Sequence, residues 1–272
     1  MTHGSGAPNS SVSPLFFDDF SGPGLDRDSW NVAVPGEPVN DELQAYCDTE
    51  ETVRMARPED RIGGCNGALI IQPHYRPGFP APGGRRFDFI SGRINTRAKV
   101  EFTYGTLSAR IMLPAGPGLW PAFWALGGAG PWPATGEIDV MENVGEPDWV
   151  SAALHGPGYS GETPFVNRMY FSNGDDASGW HVYAARWEPH SISFFVDGKV
   201  LYRATRPMVQ YYGRWAYDNP KYLILNLAIG GTYPFKTNGI ASPYRGLAEE
   251  TARAITRDSV RMLVDWVRVD AL

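Results

Sequence analysis

Three carboxylates fall within six residues of the segment GEIDVMEN, at Glu137, Asp139 and Glu142. Acids this close cannot all ionise freely, so two of them can hold unequal protonation, one as nucleophile or base and the other as acid. Ile138, Val140 and Val144 favour a strand, and glycines at 136 and 145 bracket too few residues for a helix. Strand side chains alternate, so Glu137 and Asp139 share a face while Glu142, five positions after Glu137, is out of step. A regular strand would drive Glu142 into the core, which is costly for a lone carboxylate. A β-bulge at Val140–Met141 would absorb one residue and return Glu142 to the face of the other two. The bulged strand is therefore expected. Its outer acids would lie roughly 13 Å apart at Cα, and inward-leaning side chains could bring the carboxyls to about 5–6 Å, the spacing of a retaining glycosidase. The plainer alternative is a solvated acidic strand face.

The elements that must position these acids read mostly as strands. The stretch 91–114 alternates apolar positions, with Val100, Phe102 and Tyr104 on one face. SISFFVDGKVLYRAT (191–205) is a hairpin, with Asp197-Gly198 suited to a type I′ turn. YLILNLAIGG (222–231) and MLVDWVRVD (262–270) read as buried strands, and 73–86 and 120–136 as long loops. The one helical stretch expected is 246–258, where Leu247, Ala252 and Ile255 form an apolar stripe and acids precede bases. Many short antiparallel strands predict an all-β protein, an antiparallel β-sandwich.

Composition bounds the rest. The 272 residues carry no internal repeat or low-complexity linker, so a single domain over 15–272 is expected, after a flexible tail over 1–14. Net charge −6 argues against nucleic-acid or anionic-membrane partners, and no run of 18 apolar residues could span a bilayer. Nine tryptophans favour some rings displayed as binding surface. The polar start lacks an apolar signal core, as expected of a tail left after a signal peptide is removed. Cys47 and Cys65 are compatible with one bridge or with two thiols.

Taken in order, these segments resemble glycoside hydrolase family 16, specifically its laminarinase-like endo-β-1,3-glucanases. The motif E-x-D-x-x-E is matched by Glu137, Asp139 and Glu142, with Met141 the extra residue that lichenase-type members lack. The resemblance runs from FFDDFSG (16–22) through NDELQAY (40–46), GLWPAFWALGG (118–128), HGPGYSG (155–161) and LILNLAIGG (223–231) to VDWVRV (264–269). It implies a concanavalin A-like jelly roll whose concave sheet holds a β-glucan chain. Glu137 would be nucleophile, Glu142 acid/base and Asp139 the assisting carboxylate. Trp120 and Trp124 match cleft tryptophans, Trp132 a ring lining the donor subsites, and His155 a histidine near the acid/base and acceptor sugar. Asn40 and Arg93 match residues that hydrogen-bond sugar hydroxyls. Catalysis would need no cofactor. A structural Ca2+ would be held by Asp265 with backbone oxygens near Asp19 and Gly67, and oxygen ligands suit that ion. A secreted, cell-surface or periplasmic monomer is expected.

Two departures bear on specificity. Tyr233 in GGTYPF stands where relatives carry Trp, and 246–258 resembles an insertion before the last strand. Two alternatives stay open: action on another polymer (mixed-linkage glucan, agar, carrageenan or galactan) or transglycosylation, and a non-catalytic lectin-like module.

Overall fold

The computed structural model describes residues 13–35, 39–172 and 174–272; most of the expected N-terminal tail lies outside them. Two large antiparallel sheets face each other, as the alternating patterns predict. The first, which carries the acids, runs in the order Phe165–Tyr170, Trp149–His155, Glu137–Glu142, Leu119–Gly127, Lys221–Ile229, Arg93–Asn95 and Asn31–Val32, with Glu101–Phe102 also on Lys221–Ile229. The outer sheet runs Lys199–Thr205, Ser191–Val196, Trp180–Glu188, Gly105–Met112, Met262–Asp270, Leu69–Ile71 and Val53–Met55, with Phe16–Asp18 pairing Met262–Asp270. Between the sheets lies an apolar layer that includes Phe123, Ile138, Met141 and Leu225 from one side and Leu107, Tyr183, Trp187 and Val267 from the other. Burial of this layer is the main force holding the sandwich closed.

The expected hairpin forms: Ser191–Val196 pairs Lys199–Thr205, and Asp197 (φ 50°) and Gly198 (φ 74°) supply the two positive φ values of a type I′ turn. Lys221–Ile229 is buried along its whole length, which explains why apolar residues fill both its faces apart from Lys221 and Asn226.

Other expectations need correction. The segment 73–86 is not a loop: His74–Pro80 pairs with Arg86–Ser91, and Gln44–Tyr46 adds to the latter in parallel to make a third sheet. Pro77, Pro80, Pro82, Gly83 and Gly84 sit on an exposed arm, where a missing N–H is tolerated. The segment 120–136 is only half loop. Leu119–Gly127 is a central strand whose Pro121 and glycines disguised a period-two pattern, with Trp120, Ala122 and Trp124 on one face and Leu119, Phe123 and Ala125 on the other. The expected helix is shorter, Glu249–Thr256, and two others occur that composition did not signal, Arg206–Tyr212 and Thr232–Asn238.

Candidate active site

The bulge is where the parity mismatch requires it. Against Leu119–Gly127 the register passes from Phe123↔Met141 to Trp124↔Asp139, skipping Val140. Against Trp149–His155 it jumps from Asp139↔Ala153 to Glu142↔Ser151, so Val140 and Met141 together oppose one residue. Both bulged side chains enter the core, and Glu137, Asp139 and Glu142 all line one pocket on the other face.

Each acid has a different environment. Trp132 Nε1 donates to Glu137 Oε2 (2.8 Å), and Trp120 Nε1 donates to Glu142 Oε1 (3.0 Å). Asp139, 3% exposed, has no indole donor: its Oδ2 has no hydrogen-bond partner among the described residues and stands 3.3 Å from His155 Nε2. His155 Nδ1 accepts the Gly161 N–H (3.2 Å), which leaves the ring proton on Nε2, directed at the acids. One oxygen from each of Glu137 and Asp139 and a His155 nitrogen lie within 4.8 Å of one another.

Burial raises all three acids above their ordinary range. For Glu137 burial, and after it the Asp139 charge, pushes the value up to about 8. The carboxyls of Glu137 and Asp139 lie within hydrogen-bonding reach, which requires a proton between them. That proton belongs on Asp139, whose ionised form has no indole donor, and holding it there relieves the second push on Glu137. Glu142 is raised by burial against the opposing pull of His155 and the Trp120 N–H. The cluster can thus present one ionised glutamate and one protonated glutamate.

The groove has two halves. In one, Arg93 lies over the rings of Trp124 (5.0 Å) and Tyr46 (5.9 Å), and its buried Nε finds no protein partner among the described residues. Trp124 Nε1 donates to Asn226 Oδ1 (2.7 Å), and Asn40 lines the same pocket. The other half is a recess of about 900 Å³ that includes Trp132, His155, Arg168 and Tyr233. All nine expected catalytic and binding residues therefore meet in one groove, where Asn40, Trp120, Glu137 and Glu142 line both halves. Trp132, expected beside the donor sugars, instead lines the larger recess next to Glu137, because its indole turns to that carboxylate.

Sequence reasoning missed a polar network at the Arg93 end. Gln44 Nε2 donates to Glu42 Oε2 (2.7 Å), and Asn226 Nδ2 donates to the Tyr46 hydroxyl (3.1 Å). The signals were present: Glu42, Gln44 and Tyr46 alternate, and Asn226 is the only polar residue in LILNLAIGG before its glycines.

The expected calcium residues gather on the outer-sheet side, where the Asp19 charge acts on Asp265. Arg110 Nη1 already pairs with Asp265 Oδ2, and Asp19 accepts from the Ser21 N–H and hydroxyl. A Cβ on Gly67 would stand 2.6 Å from the Phe20 carbonyl, so this glycine packs directly against the 20–21 backbone. A divalent cation there would meet the Arg110 charge. Cys47 and Cys65 are free thiols.

A sandwich with buried, unequally solvated carboxylates on the floor of a tryptophan-lined groove defines a carbohydrate-active enzyme of the glycosidase type. The family described as glycosyl hydrolases family 16 matches residues 53–245. The chain is 35% identical over 245 residues to glucan endo-1,3-beta-glucosidase A1 of Niallia circulans, covering 80% of this chain but only 34% of that protein. It is 35% identical over 268 residues to the beta-glucanase of Rhodothermus marinus, covering 94% and 84%. The endo-beta-1,3-glucanase structure from Pyrococcus furiosus superposes with a TM-score of 0.78 at 33% identity, covering 94% and 93% of the two chains. The chain belongs to glycoside hydrolase family 16.

Proposed function

We propose that the protein is an endo-acting hydrolase of β-1,3-glucan working with retention of configuration through a glycosyl-enzyme. The observation that carries this is the bulge at Val140–Met141, which sets Glu142 beside Glu137 and Asp139 on the groove floor. In the first step a Glu137 oxygen attacks the anomeric carbon. The bond to the leaving oxygen breaks, and that oxygen takes the Glu142 proton. In the second, water gives a proton to Glu142, its oxygen attacks the same carbon, and the bond to Glu137 breaks. Asp139 holds the proton that would otherwise neutralise Glu137. Donor sugars occupy the half lined by Arg93 and Trp124, where indole stacking and the Arg93 donor suit a pyranose face and its hydroxyls. The leaving chain occupies the larger recess beyond His155.

A lectin-like module would gain nothing from three buried acids, which cost desolvation without improving sugar contacts. The substrate is a polymer, so we infer action outside the cytoplasm. Glu137→Gln tests the assignment: turnover on laminarin should vanish while polymer binding persists, and NMR of the first product should show the β-anomer. Substantial turnover by the variant, or an α-anomer, would overturn it. Laminarin, lichenan and agarose assayed side by side test the choice of polymer.

A further inference from the structure

Two segments from opposite walls meet above the larger recess. The loop 156–164 joins the His155 end of one strand to the Phe165 end of the next, at the Glu137 side of the groove. It is pinned there by the Gly161 N–H on His155 Nδ1. The helix Thr232–Asn238 follows Ile229 and stands at the Glu142 side. Its Tyr233 hydroxyl meets Ser151 Oγ (3.3 Å), and its ring packs edge-on against Trp120 at 5.4 Å. From Ser151 to His155 the floor is four residues wide, roughly 13 Å along the strand. Across that span the Lys236 ammonium pairs with the Glu162 carboxylate, and both side chains line the recess. Ala153, Val166 and Asn167 line it below.

We propose that the Lys236–Glu162 pair is a specificity-determining strap over the acceptor half, passing an unbranched β-glucan chain and opposing one with a side sugar beneath it. This rests on the function proposed above. A chain of single sugars can lie between floor and strap, whereas a 6-linked branch must pass through the position of the pair and break it. Both side chains are substantially exposed, at 45% and 73%, so the pair opens readily. The discrimination an exposed ion pair can supply is at most about fivefold.

The test compares kcat/KM on a linear β-1,3-glucan with that on the same backbone bearing single 6-linked glucose branches. It is run for the wild type, Glu162→Gln, Lys236→Met and the charge swap Glu162→Lys/Lys236→Glu, at low and at high salt. The wild type should favour the linear chain by a few-fold. That preference should fall towards unity in each single variant and at high salt, and return in the swap. A preference unchanged in both single variants overturns the strap. If the wild type cuts neither glucan, the functional reading fails instead. The strap is then judged by calorimetric binding of linear and branched oligosaccharides to the same proteins, where equal affinity ratios throughout would overturn it.

Discussion

At the scale of single residues, the two indole N–H groups do for the two glutamates what a positive charge would do elsewhere: each stabilises the ionised form of one carboxylate. The mechanism proposed above needs Glu137 ionised and Glu142 protonated, so on that proposal the acid limb of the kcat/KM profile reports Glu137 and the basic limb Glu142. Trp132→Phe removes the donor to Glu137, raises its pKa, and should move the acid limb to higher pH. Trp120→Phe removes the donor to Glu142 and should move the basic limb to higher pH. Trp132 is 51% exposed, so solvent replaces part of its effect and its shift should stay under about one pH unit. The pH profiles of the two variants check this. Movement of the same limb in both would refute the division of labour. The acids themselves were legible from spacing alone, because only a bulge reconciles three groove-facing acids with strand parity. That Asp139 between them shares charge or a proton was legible too; which indole serves which glutamate was not, since Trp132 and Trp120 approach from a loop and a neighbouring strand.

At the scale of elements, the strand that carries the acids is held at its start by an unusual cation. Lys221 is fully buried, and its Nζ donates to the carbonyls of Thr135 (2.5 Å) and Ala216 (3.4 Å) and to Asn219 Oδ1 (3.3 Å), between the rings of Trp187 and Tyr217. It thereby ties the turn bearing Trp132 and Thr135 to the 216–219 turn, next to Gly136, where a Cβ would stand 2.4 Å from the Ala216 carbonyl. Burial pushes Lys221 down to about 7. The unfolded chain, with an ordinary lysine near 10.4, binds the extra proton between those values, so stability should rise with pH from about 7 upward. Lys221→Met should abolish that rise and, by loosening the Trp132 turn, lower kcat/KM about tenfold to a hundredfold. Denaturant unfolding at pH 6 and pH 9 checks the first effect and steady-state kinetics the second. An identical pH trend in the variant would dismiss the tether. Nothing in PKYLILNL marks the lysine as an interior residue, because its shortest hydrogen bond goes to Thr135, 86 residues earlier in the chain. The misread segments have the same cause. Leu119–Gly127 and the 74–91 hairpin are strands because neighbours complete their ladders, despite locally loop-like proline and glycine.

At the scale of the whole molecule, the two sheets must stay registered for the groove to keep its shape, and one link between their edges depends on pH. His181 lies in the outer sheet with both ring nitrogens engaged: Nδ1 on Asp197 Oδ2 (2.7 Å) in the hairpin turn, and Nε2 on the Asp176 carbonyl (2.9 Å), with Asp175 at 3.5 Å. Its ring packs at 4.7 Å on Phe171, which follows the edge strand Phe165–Tyr170 of the groove sheet. Two acceptors on one imidazole require the protonated ring. Burial alone would lower the His181 pKa, but the Asp197 carboxylate, the Asp176 carbonyl and Asp175 outweigh it and raise it above the ordinary value. A base whose folded pKa exceeds its unfolded value stabilises fully below the unfolded value, about 6.5, and loses that contribution as pH rises through the folded one. Asp197, held below its ordinary value despite burial, must stay ionised for the pair to exist, which sets the lower edge of the window near an ordinary carboxylate pKa. His181→Gln should therefore melt well below the wild type at pH 5–6, and the gap should narrow steadily above pH 7. Differential scanning calorimetry of both proteins across that range decides it, and a gap that stays constant or widens would refute the charged link.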